Sequence, residues 1–356
     1  MPTRPIYIGT AVNEGDSIFR LAFDPATGNL AHDAAFALAA RPTFLAVHPT
    51  GRFLYAVSEL NNHNGKPGGG VSAFAIDAAT GDLTLLNQQS SMGAGPCHLT
   101  VDPQGKNVLV ANYSAGSVAV LPIDPAGRLV EASTHIQHEG AGADPSRQAK
   151  PHAHCIVTDP AGNFAYAADL GCDKVFIYKH DADTGKLTPA AHPFTEVQPG
   201  AGPRQIRFHP DCQHAYLVNE LDSTVTVFAF DSQTGRLSTQ QTLTTLPDDV
   251  APDLVNHPAE ICIHPQGNFV YASNRGHPTL AIYRIDPATG SLTPAGHAPT
   301  GNNCRHFAFD ATGRFALVGN QSDNNIHVLT FDETTGGLTP TGQTLDCPTP
   351  ICILPR

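Results

Sequence analysis

The segment at residues 200–220, GAGPRQIRFHPDCQHAYLVNE, reads as strand, tight turn, strand, with side chains of opposite charge at its two ends. Arg204 opens the first strand and Glu220 closes the second, and these two ends lie side by side in an antiparallel pair. An arginine can hold a carboxylate or phosphate through two parallel hydrogen bonds, and a carboxylate can move a proton. The pair therefore either belongs to a ligand site or is a structural ion pair that braces the strands.

Further polar residues occupy the same two positions of other strand–turn–strand segments, or the loops beside them. These candidate site residues are Glu59, His98, Asn112, Arg147, His152, His154, Asp169, Asn274, Arg275, Arg305 and His306. Together with Arg204 and Glu220 they suit general acid–base chemistry on a small anion. In that chemistry the arginines hold the anion or stabilise an oxyanion, and His154 or Glu220 transfers a proton.

Other kinds of chemistry have weaker support in the sequence. No nucleophile elbow, zinc-protease motif, phosphate loop or dinucleotide fingerprint is present. His152 and His154 resemble a metal-binding pair, but they would need a third ligand from elsewhere. Cys97 and Cys155 have no base that the sequence assigns to them. We therefore expect neither a metal nor a cofactor.

The elements that must position these residues form a sevenfold repeat. A turn of the form D-x-x-T-G-x-L, or a close variant, recurs at 24–30, 77–83, 124–129, 181–187, 231–237, 286–292 and 332–338. Short β runs such as LYAVSE and AYLVNE precede the turns, and so do apolar strands that end in DP or HP, such as GPRQIRFHP. Four-stranded repeats of roughly 50 residues are typical of propeller blades.

The two chain ends are out of phase with the repeat. The N-terminal IYIGT has no apolar strand before it, and the C-terminal TPICILPR has no partner strand after it. The sequence thus predicts an all-β, seven-bladed β-propeller over 1–356, a single domain with four antiparallel strands per blade. Its last blade is closed by the C-terminal inner strand and the N-terminal outer strands. The candidate residues then share one rim, and the HP turns of His48, His209 and His264 lie on the other.

Two longer insertions reach the rim of the candidate residues. Residues 137–154 form a crossover between blades that carries Arg147, Lys150, His152 and His154. Residues 59–71 form a glycine-rich loop with Lys66, which is either a lid or inert surface. Loops on a rigid scaffold commonly carry binding residues.

Composition limits the partners and the location. The 356 residues carry a net charge of −12, with 20 Lys and Arg against 32 Asp and Glu. The sequence has no run of basic residues, so a nucleic-acid partner is not expected. Neither a signal peptide nor an apolar run long enough to cross a membrane is present, so a soluble, cytoplasmic protein without membrane contact is expected. The eight cysteines contain no C-x-x-C pair, which favours reduced thiols. Ring closure uses both chain ends, so a monomer is expected.

Several blade motifs resemble a known family. GPCHLTVDP, KPHAHCIVTDP, GAGPRQIRFHP, AYLVNELDSTV, VYASNRG and RHFAFDATGRFALVGNQ are similar, in register, to the seven-bladed lactonase family. That family contains propeller-type 6-phosphogluconolactonases and fungal carboxy-muconate cyclases. The resemblance implies that His154, Arg204, Glu220 and Arg275 are the catalytic residues. Two departures are that Cys304 replaces a proline before Arg305 and that Gln205 stands where a histidine is common.

The resemblance implies hydrolysis of a small anionic sugar lactone, with 6-phospho-D-glucono-1,5-lactone, an intermediate of the pentose phosphate pathway, as the default substrate. The product would be 6-phosphogluconate. One alternative is another aldonolactone hydrolase, or a muconate cycloisomerase on the same scaffold. A second alternative, from a different class, is a non-enzymatic propeller that binds a protein across its face.

Overall fold

A computed structural model describes residues 3–63, 65–251 and 253–356, which form 30 β-strands. The strands of the first half are β1 (Arg4–Thr10), β2 (Ile18–Phe23), β3 (Leu30–Phe36), β4 (Leu45–Val47), β5 (Phe53–Ser58), β6 (Asn62–His63), β7 (Lys66–Pro67), β8 (Gly70–Ile76), β9 (Leu83–Ser90), β10 (Pro96–Val101), β11 (Asn107–Asn112), β12 (Ser117–Pro122), β13 (Thr134–Gln137), β14 (Ala153–Thr158) and β15 (Phe164–Asp169). The strands of the second half are β16 (Lys174–Asp181), β17 (Lys186–Glu196), β18 (Pro203–Phe208), β19 (His214–Asn219), β20 (Thr224–Asp231), β21 (Arg236–Thr244), β22 (Ile261–Ile263), β23 (Phe269–Ser273), β24 (Thr279–Ile285), β25 (Leu292–Pro299), β26 (Cys304–Phe309), β27 (Phe315–Asn320), β28 (Asn325–Phe331), β29 (Leu338–Asp346) and β30 (Pro350–Pro355).

Within the described ranges, 28 of these strands form seven four-stranded antiparallel sheets, which are the blades of the propeller. Strands a, b, c and d are named from the channel outward. In the first six blades they follow each other along the chain, as in β18, β19, β20 and β21. The remaining pair, β6 and β7, is a small hairpin within the 59–71 insertion.

The seventh blade confirms the predicted closure of the ring. Its order is β3, β2, β1 and β30, so that the C-terminal strand is strand a and the N-terminal strands are b, c and d. Ile8 pairs with Ile353 in this sheet, and both are buried in one apolar cluster with Phe315 and Leu317 of the sixth blade. Burial of apolar side chains between neighbouring blades therefore also locks the chain ends together.

Contacts between blades explain the recurring turn. In five blades a buried tyrosine of strand b donates its hydroxyl to the carbonyl oxygen of the turn glycine in the next blade, at 2.6–3.0 Å. The donors are Tyr7, Tyr55, Tyr166, Tyr216 and Tyr271, and the acceptors are Gly81, Gly127, Gly235, Gly290 and Gly336. At Gly235 the backbone has a φ of +76°, and a Cβ would collide with Phe164. The recurring turn therefore joins neighbouring blades, on the rim opposite the candidate site, and has a structural role.

The histidines of the HP turns also join neighbouring blades. His48, His209 and His264 place Nε2 within 2.8–2.9 Å of the carbonyl oxygens of residues in the following blade, Gly105, Gly267 and Gly313. This agrees with their predicted place in turns. No helix in the described ranges is long and apolar enough to cross a membrane.

Candidate active site

Strand a carries a β-bulge at its entry in five blades. A bulge adds one residue that has no partner on the neighbouring strand. The added residues are Cys97, His154, Arg204, Arg305 and Ile351. All five border one narrow cavity in the channel. The bulges therefore direct side chains from five blades toward the same space.

The chain turns sharply just before these bulges. At Gly202 the φ angle is +67°, and a Cβ there would lie 2.6 Å from Cγ of Leu221. Pro203 follows and fixes the backbone for the extended entry of strand a. The sequence G-P-R thus combines a left-handed turn, a rigid strand entry and the bulged Arg204.

Glu220 lies at the centre of a cluster of three arginines. Its Oε1 is 2.7 Å from Nη2 of Arg147, and its Oε2 is 3.0 Å from Nε of Arg204 and 2.7 Å from Nη2 of Arg275. Burial alone would raise the pKa of Glu220, but the charges of Arg275 and Arg204 outweigh it and hold the pKa well below its usual range. The carboxylate therefore stays ionised and has little affinity for a proton.

Backbone carbonyls of one crossover hold two of these arginines in place. Nε of Arg275 donates to the carbonyl oxygen of His257 at 2.7 Å, and Nη1 of Arg204 donates to that of Ala259. The His257 ring lies beside the backbone of Glu220, with its Nδ1 3.4 Å from the Glu220 carbonyl oxygen. The two guanidiniums are thus oriented before any ligand arrives, which favours recognition of an anion.

Arg147 reaches the cluster from the 137–154 insertion, as the sequence predicted for a rim residue. Its Nη2 contacts Glu220 and also lies 3.5 Å from the hydroxyl of Tyr113. About a third of the Arg147 side chain is exposed, against 4% for Arg204. Of the three arginines around Glu220, Arg147 is therefore the most accessible from the channel mouth.

His154 borders the cavity beside this cluster. Its ring packs edge-on against Tyr113, with centroids 5.3 Å apart, and its Nδ1 is 3.8 Å from Sγ of Cys97. Burial, followed by the charge of Arg204, holds the pKa of His154 well below the ordinary value of 6.5. The imidazole is therefore neutral at neutral pH and can accept a proton.

Arg305 and Glu59 border the same cavity as His154 and Arg204, near the mouth of the channel. Glu59 Oε2 accepts a hydrogen bond from the Thr43 hydroxyl at 2.5 Å, and its Oε1 is 4.0 Å from Nη2 of Arg41. Burial and the nearby Arg204 charge lower the pKa of Arg305. The cavity between these groups has a volume of only about 20 Å³, which is too small to enclose a molecule of the size of a sugar.

A second polar level lies deeper in the channel. Glu260 is 2.6 Å from Nη2 of Arg207, accepts a hydrogen bond from Gln205 at 3.2 Å and lies 3.6 Å from Nε2 of His306. The two histidines at this level are fixed by backbone N–H groups. Ile353 donates to Nδ1 of His306 at 3.2 Å, and Ile156 donates to Nδ1 of His98 at 3.3 Å. Each Nδ1 is therefore an acceptor, which favours the neutral ring.

His306 is expected to make the fold less stable at pH 5 than at pH 7.5. Burial lowers the pKa of His306 from 6.5 to about 4. The nearby charge of Glu260 opposes this shift, and the charge of Arg207 adds to it. Between these values the unfolded chain binds a proton that the folded protein does not, so the free energy of unfolding falls as the pH falls.

His306 alone should lower the free energy of unfolding by about 2 kcal/mol between pH 7.5 and pH 5. Urea unfolding of the wild type and of His306→Gln at pH 5 and 7.5 measures the effect. The difference between the two pH values should be smaller in the variant, because glutamine does not titrate. An equal difference in both proteins would show that His306 titrates normally in the folded state.

Three predicted substrate-binding residues are fully buried and hold the crossovers. Asn112 donates to the carbonyl oxygen of Ser91 at 2.9 Å, and Asn274 donates to that of Thr245 at 2.8 Å. The carboxylate of Asp169 accepts hydrogen bonds from Nδ1 of His138 at 2.6 Å and from the backbone N–H of His152 at 2.7 Å. Contact of these three residues with a substrate stays a prediction.

His152 and His154 flank the same tyrosine instead of facing each other across an open site. The His152 ring stacks on Tyr113 with centroids 4.6 Å apart, and its Nδ1 is 3.0 Å from the Tyr113 carbonyl oxygen. Among the described residues, no group of three or more His, Cys, Asp or Glu is arranged to hold a metal ion. The Lys66 side chain of the 59–71 insertion lies outside the described part of the structure.

The thiols near the site are poor nucleophiles. All eight cysteines are free. Burial, and then the charge of Glu59, raises the pKa of Cys97, and burial raises the pKa of Cys155 to about 11. Both are therefore protonated at neutral pH, and a thiolate mechanism has no support from the geometry.

Two contributors to the site were not predicted from the sequence. Arg207 lies in the middle of strand a and His257 in an irregular crossover, and neither position is marked by the repeat. Tyr113 stands next to Asn112 at the predicted rim but is not among the predicted site residues. It contacts both His152 and His154.

Comparison with known proteins agrees with this geometry. A family model described as "Lactonase, 7-bladed beta-propeller" matches residues 5–355. A 6-phosphogluconolactonase of Bacillus subtilis is 35% identical over 309 residues, or 86% of this chain and 85% of the relative. A 6-phosphogluconolactonase of Pectobacterium atrosepticum is 30% identical, with the same coverage of both chains. The solved structure of a periplasmic gluconolactonase of Pseudomonas aeruginosa is 30% identical, with a TM-score of 0.92 over 99% of both chains. The chain therefore belongs to the seven-bladed β-propeller lactonase family.

Proposed function

We propose that this protein hydrolyses a six-membered sugar lactone that carries an anionic group, with 6-phospho-D-glucono-1,5-lactone as the first candidate. The observation that carries the proposal is the cluster of Arg147, Arg204 and Arg275 around the single carboxylate of Glu220. One carboxylate leaves two of the three positive charges uncompensated. A dianionic phosphate at the mouth would balance them.

The substrate is held above the cavity, not inside it. Arg147 is the most accessible of the three arginines, and the space beneath has a volume of only about 20 Å³. We assign the phosphate to the side of Arg147 and Arg275 and the lactone carbonyl to the side of Arg305 and His154. A rigid, preoriented site of this kind lowers the barrier mainly by positioning.

His154 serves as the general base. Both oxygens of Glu220 are held by guanidiniums, and its low pKa makes it a poor proton acceptor. The His154 ring is neutral, and its Nδ1 makes only a long contact, 3.8 Å, to Sγ of Cys97. His154 takes a proton from water as the oxygen attacks the lactone carbonyl, and terminal nitrogens of Arg305 stabilise the oxyanion. The ring C–O bond then breaks, and the proton passes to the leaving oxygen.

The names of the relatives point to two classes of lactone. Those of Bacillus subtilis and Pectobacterium atrosepticum are named for a phosphorylated lactone and that of Pseudomonas aeruginosa for gluconolactone. The surplus positive charge favours the phosphorylated one for this chain. Loss of Arg147 should then affect the phosphorylated substrate more than the unphosphorylated one.

Initial rates on three substrates test the proposal. The purified protein is assayed with 6-phosphogluconolactone, glucono-1,5-lactone and a carboxy-muconate, each corrected for spontaneous reaction. We expect the highest kcat/KM for the phosphorylated lactone. A higher kcat/KM for glucono-1,5-lactone would contradict the role of the phosphate. Turnover of the muconate alone, or of none of the three, would overturn lactone hydrolysis.

A further inference from the structure

Two polar atoms in the channel wall are buried and have no hydrogen-bond partner among the described residues. They are Oε1 of Gln205 and Nε of Arg305. Both side chains border the cavity that His154 also borders, and Gln205 is only 2% exposed. A buried donor or acceptor without a partner costs about 1–3 kcal/mol, so native proteins rarely leave such atoms unpaired.

The orientation of Gln205 is fixed by its neighbour. Its Nε2 donates to Oε2 of Glu260 at 3.2 Å, while Oε1 of Glu260 is 2.6 Å from Nη2 of Arg207. An ionised carboxylate only accepts hydrogen bonds, so the amide nitrogen must face it. The amide oxygen of Gln205 is therefore turned away from Glu260 and needs a donor.

The cavity has the size and polarity for one water molecule. Its volume of about 20 Å³ exceeds the 10–15 Å³ that one water needs, and a water also requires two to four polar partners. Water can accept a hydrogen bond from Arg305 and donate one to Gln205. A chloride ion would pair with Arg305 but would be repelled by the Gln205 oxygen and by the carboxylates of Glu59 and Glu260, which also border the cavity.

We propose that Gln205 Oε1 and Arg305 Nε bind a single water molecule in the channel, and that this water is the nucleophile for the lactone. The second part rests on the proposed function. His154 borders the same cavity, and in this proposal it accepts a proton from the bound water. Gln205 is then a catalytic residue, because it touches the attacking water.

The chemical step balances with the groups present. The water oxygen forms a bond to the carbonyl carbon while one of its protons passes to His154. The bond between that carbon and the ring oxygen then breaks, and His154 returns the proton to the ring oxygen as a hydroxyl. The new carboxylic acid releases its proton to solvent, and a second water refills the cavity.

Substitution of Gln205 tests the catalytic part. Gln205→Met keeps the length of the side chain but removes the acceptor, and kcat should fall about tenfold to a hundredfold with KM nearly unchanged. Gln205→His can face Glu260 with one ring nitrogen and the water with the other, so it should restore most of kcat. The matched control is Gln88→Met in an outer strand, where the amide contacts Ser72, and it should leave both constants unchanged.

Thermal unfolding of each variant separates this effect from loss of structure. A wild-type kcat in Gln205→Met would overturn the nucleophile role. Equal loss in Gln205→Met and Gln205→His would overturn it as well, and so would a fall in activity that only follows the fall in melting temperature. If the wild type hydrolyses no lactone, the proposed function fails and the nucleophile role falls with it.

A high-resolution crystal structure tests the binding part independently of activity. We expect one ordered water within about 3 Å of both Gln205 Oε1 and Arg305 Nε. Crystals soaked in bromide identify an anion by its anomalous signal. An anion at this position, or no density there, would overturn the water site whatever the kinetics show.

Discussion

Replacing Glu220 by glutamine is expected to lower kcat/KM for the phosphorylated lactone by about a thousandfold. The carboxylate holds Arg147, Arg204 and Arg275 at 2.7–3.0 Å, and a neutral amide can accept from at most one side while its own N–H₂ faces the other guanidiniums. The arginines then repel one another and lose the geometry that binds the substrate. Breaking such a buried ion cluster should also lower the free energy of unfolding by about 3 kcal/mol.

A second buried carboxylate provides the matched control for this change. Asp102 lies on the opposite rim, where its oxygens accept from the backbone N–H of Lys106 and the amide of Asn107. Asp102→Asn should also lose stability, but the folded enzyme should keep its kcat/KM. Urea unfolding and initial rates on both variants distinguish the two effects. If Glu220→Gln keeps kcat/KM within a few-fold of the wild type, the arginine cluster is not the substrate site.

Replacing His154 by alanine should lower kcat by about a hundredfold to a thousandfold, with little change in KM. The ring contributes its effect in the transition state, when it takes a proton, while the arginines that bind the ground state remain in place. In the wild type the lowered pKa of His154 should move the acid limb of the kcat/KM profile below pH 6.5. That limb should disappear in the variant.

A histidine of the opposite rim is the control for this substitution. His209 contacts the carbonyl oxygen of Gly267, and His209→Gln should leave kcat, KM and the pH profile unchanged. An acid limb that persists unaltered in His154→Ala would mean that another group accepts the proton. Unchanged kcat in His154→Ala would remove His154 from the mechanism.

The fold could be read from the sequence because its stabilising contacts repeat with it. The turn glycine receives the hydroxyl of a tyrosine in the preceding blade, as Gly235 does from Tyr166, so turn and tyrosine recur together. The closing blade was predictable for a related reason. A strand at each chain end lacked its neighbour in the sequence, and β1 and β30 supply each other.

The sequence predicts which rim of the propeller carries the candidate site, but not how far along strand a the residues that border the cavity extend. Antiparallel pairing alone places the start of strand a beside the end of strand b, which brings Arg204 to Glu220. Strict alternation along a strand, however, sends neighbouring residues to opposite faces. The bulges break that alternation, so Arg204 and Gln205 both border the cavity, as do Arg305 and His306.

The arrangement in two levels follows from the same bulges and from one long side chain. Arg207 lies three residues after Arg204 on strand a, and its guanidinium reaches Glu260 of the next blade at 2.6 Å. The sequence contains both residues but not the distance between their blades. The position of His257 depends on an irregular crossover, for which neither periodicity nor a motif provides a guide.

A crystal structure with bound 6-phosphogluconate would show whether the arginine cluster around Glu220 is the substrate site. We expect the phosphate to contact Arg147 and Arg275 at the channel mouth and the new carboxylate to lie beside Arg305 and His154. Product bound in an outer cleft between blades, with Arg147, Arg275, Arg305 and His154 unchanged and without contact to it, would show that the substrate does not bind at the arginine cluster.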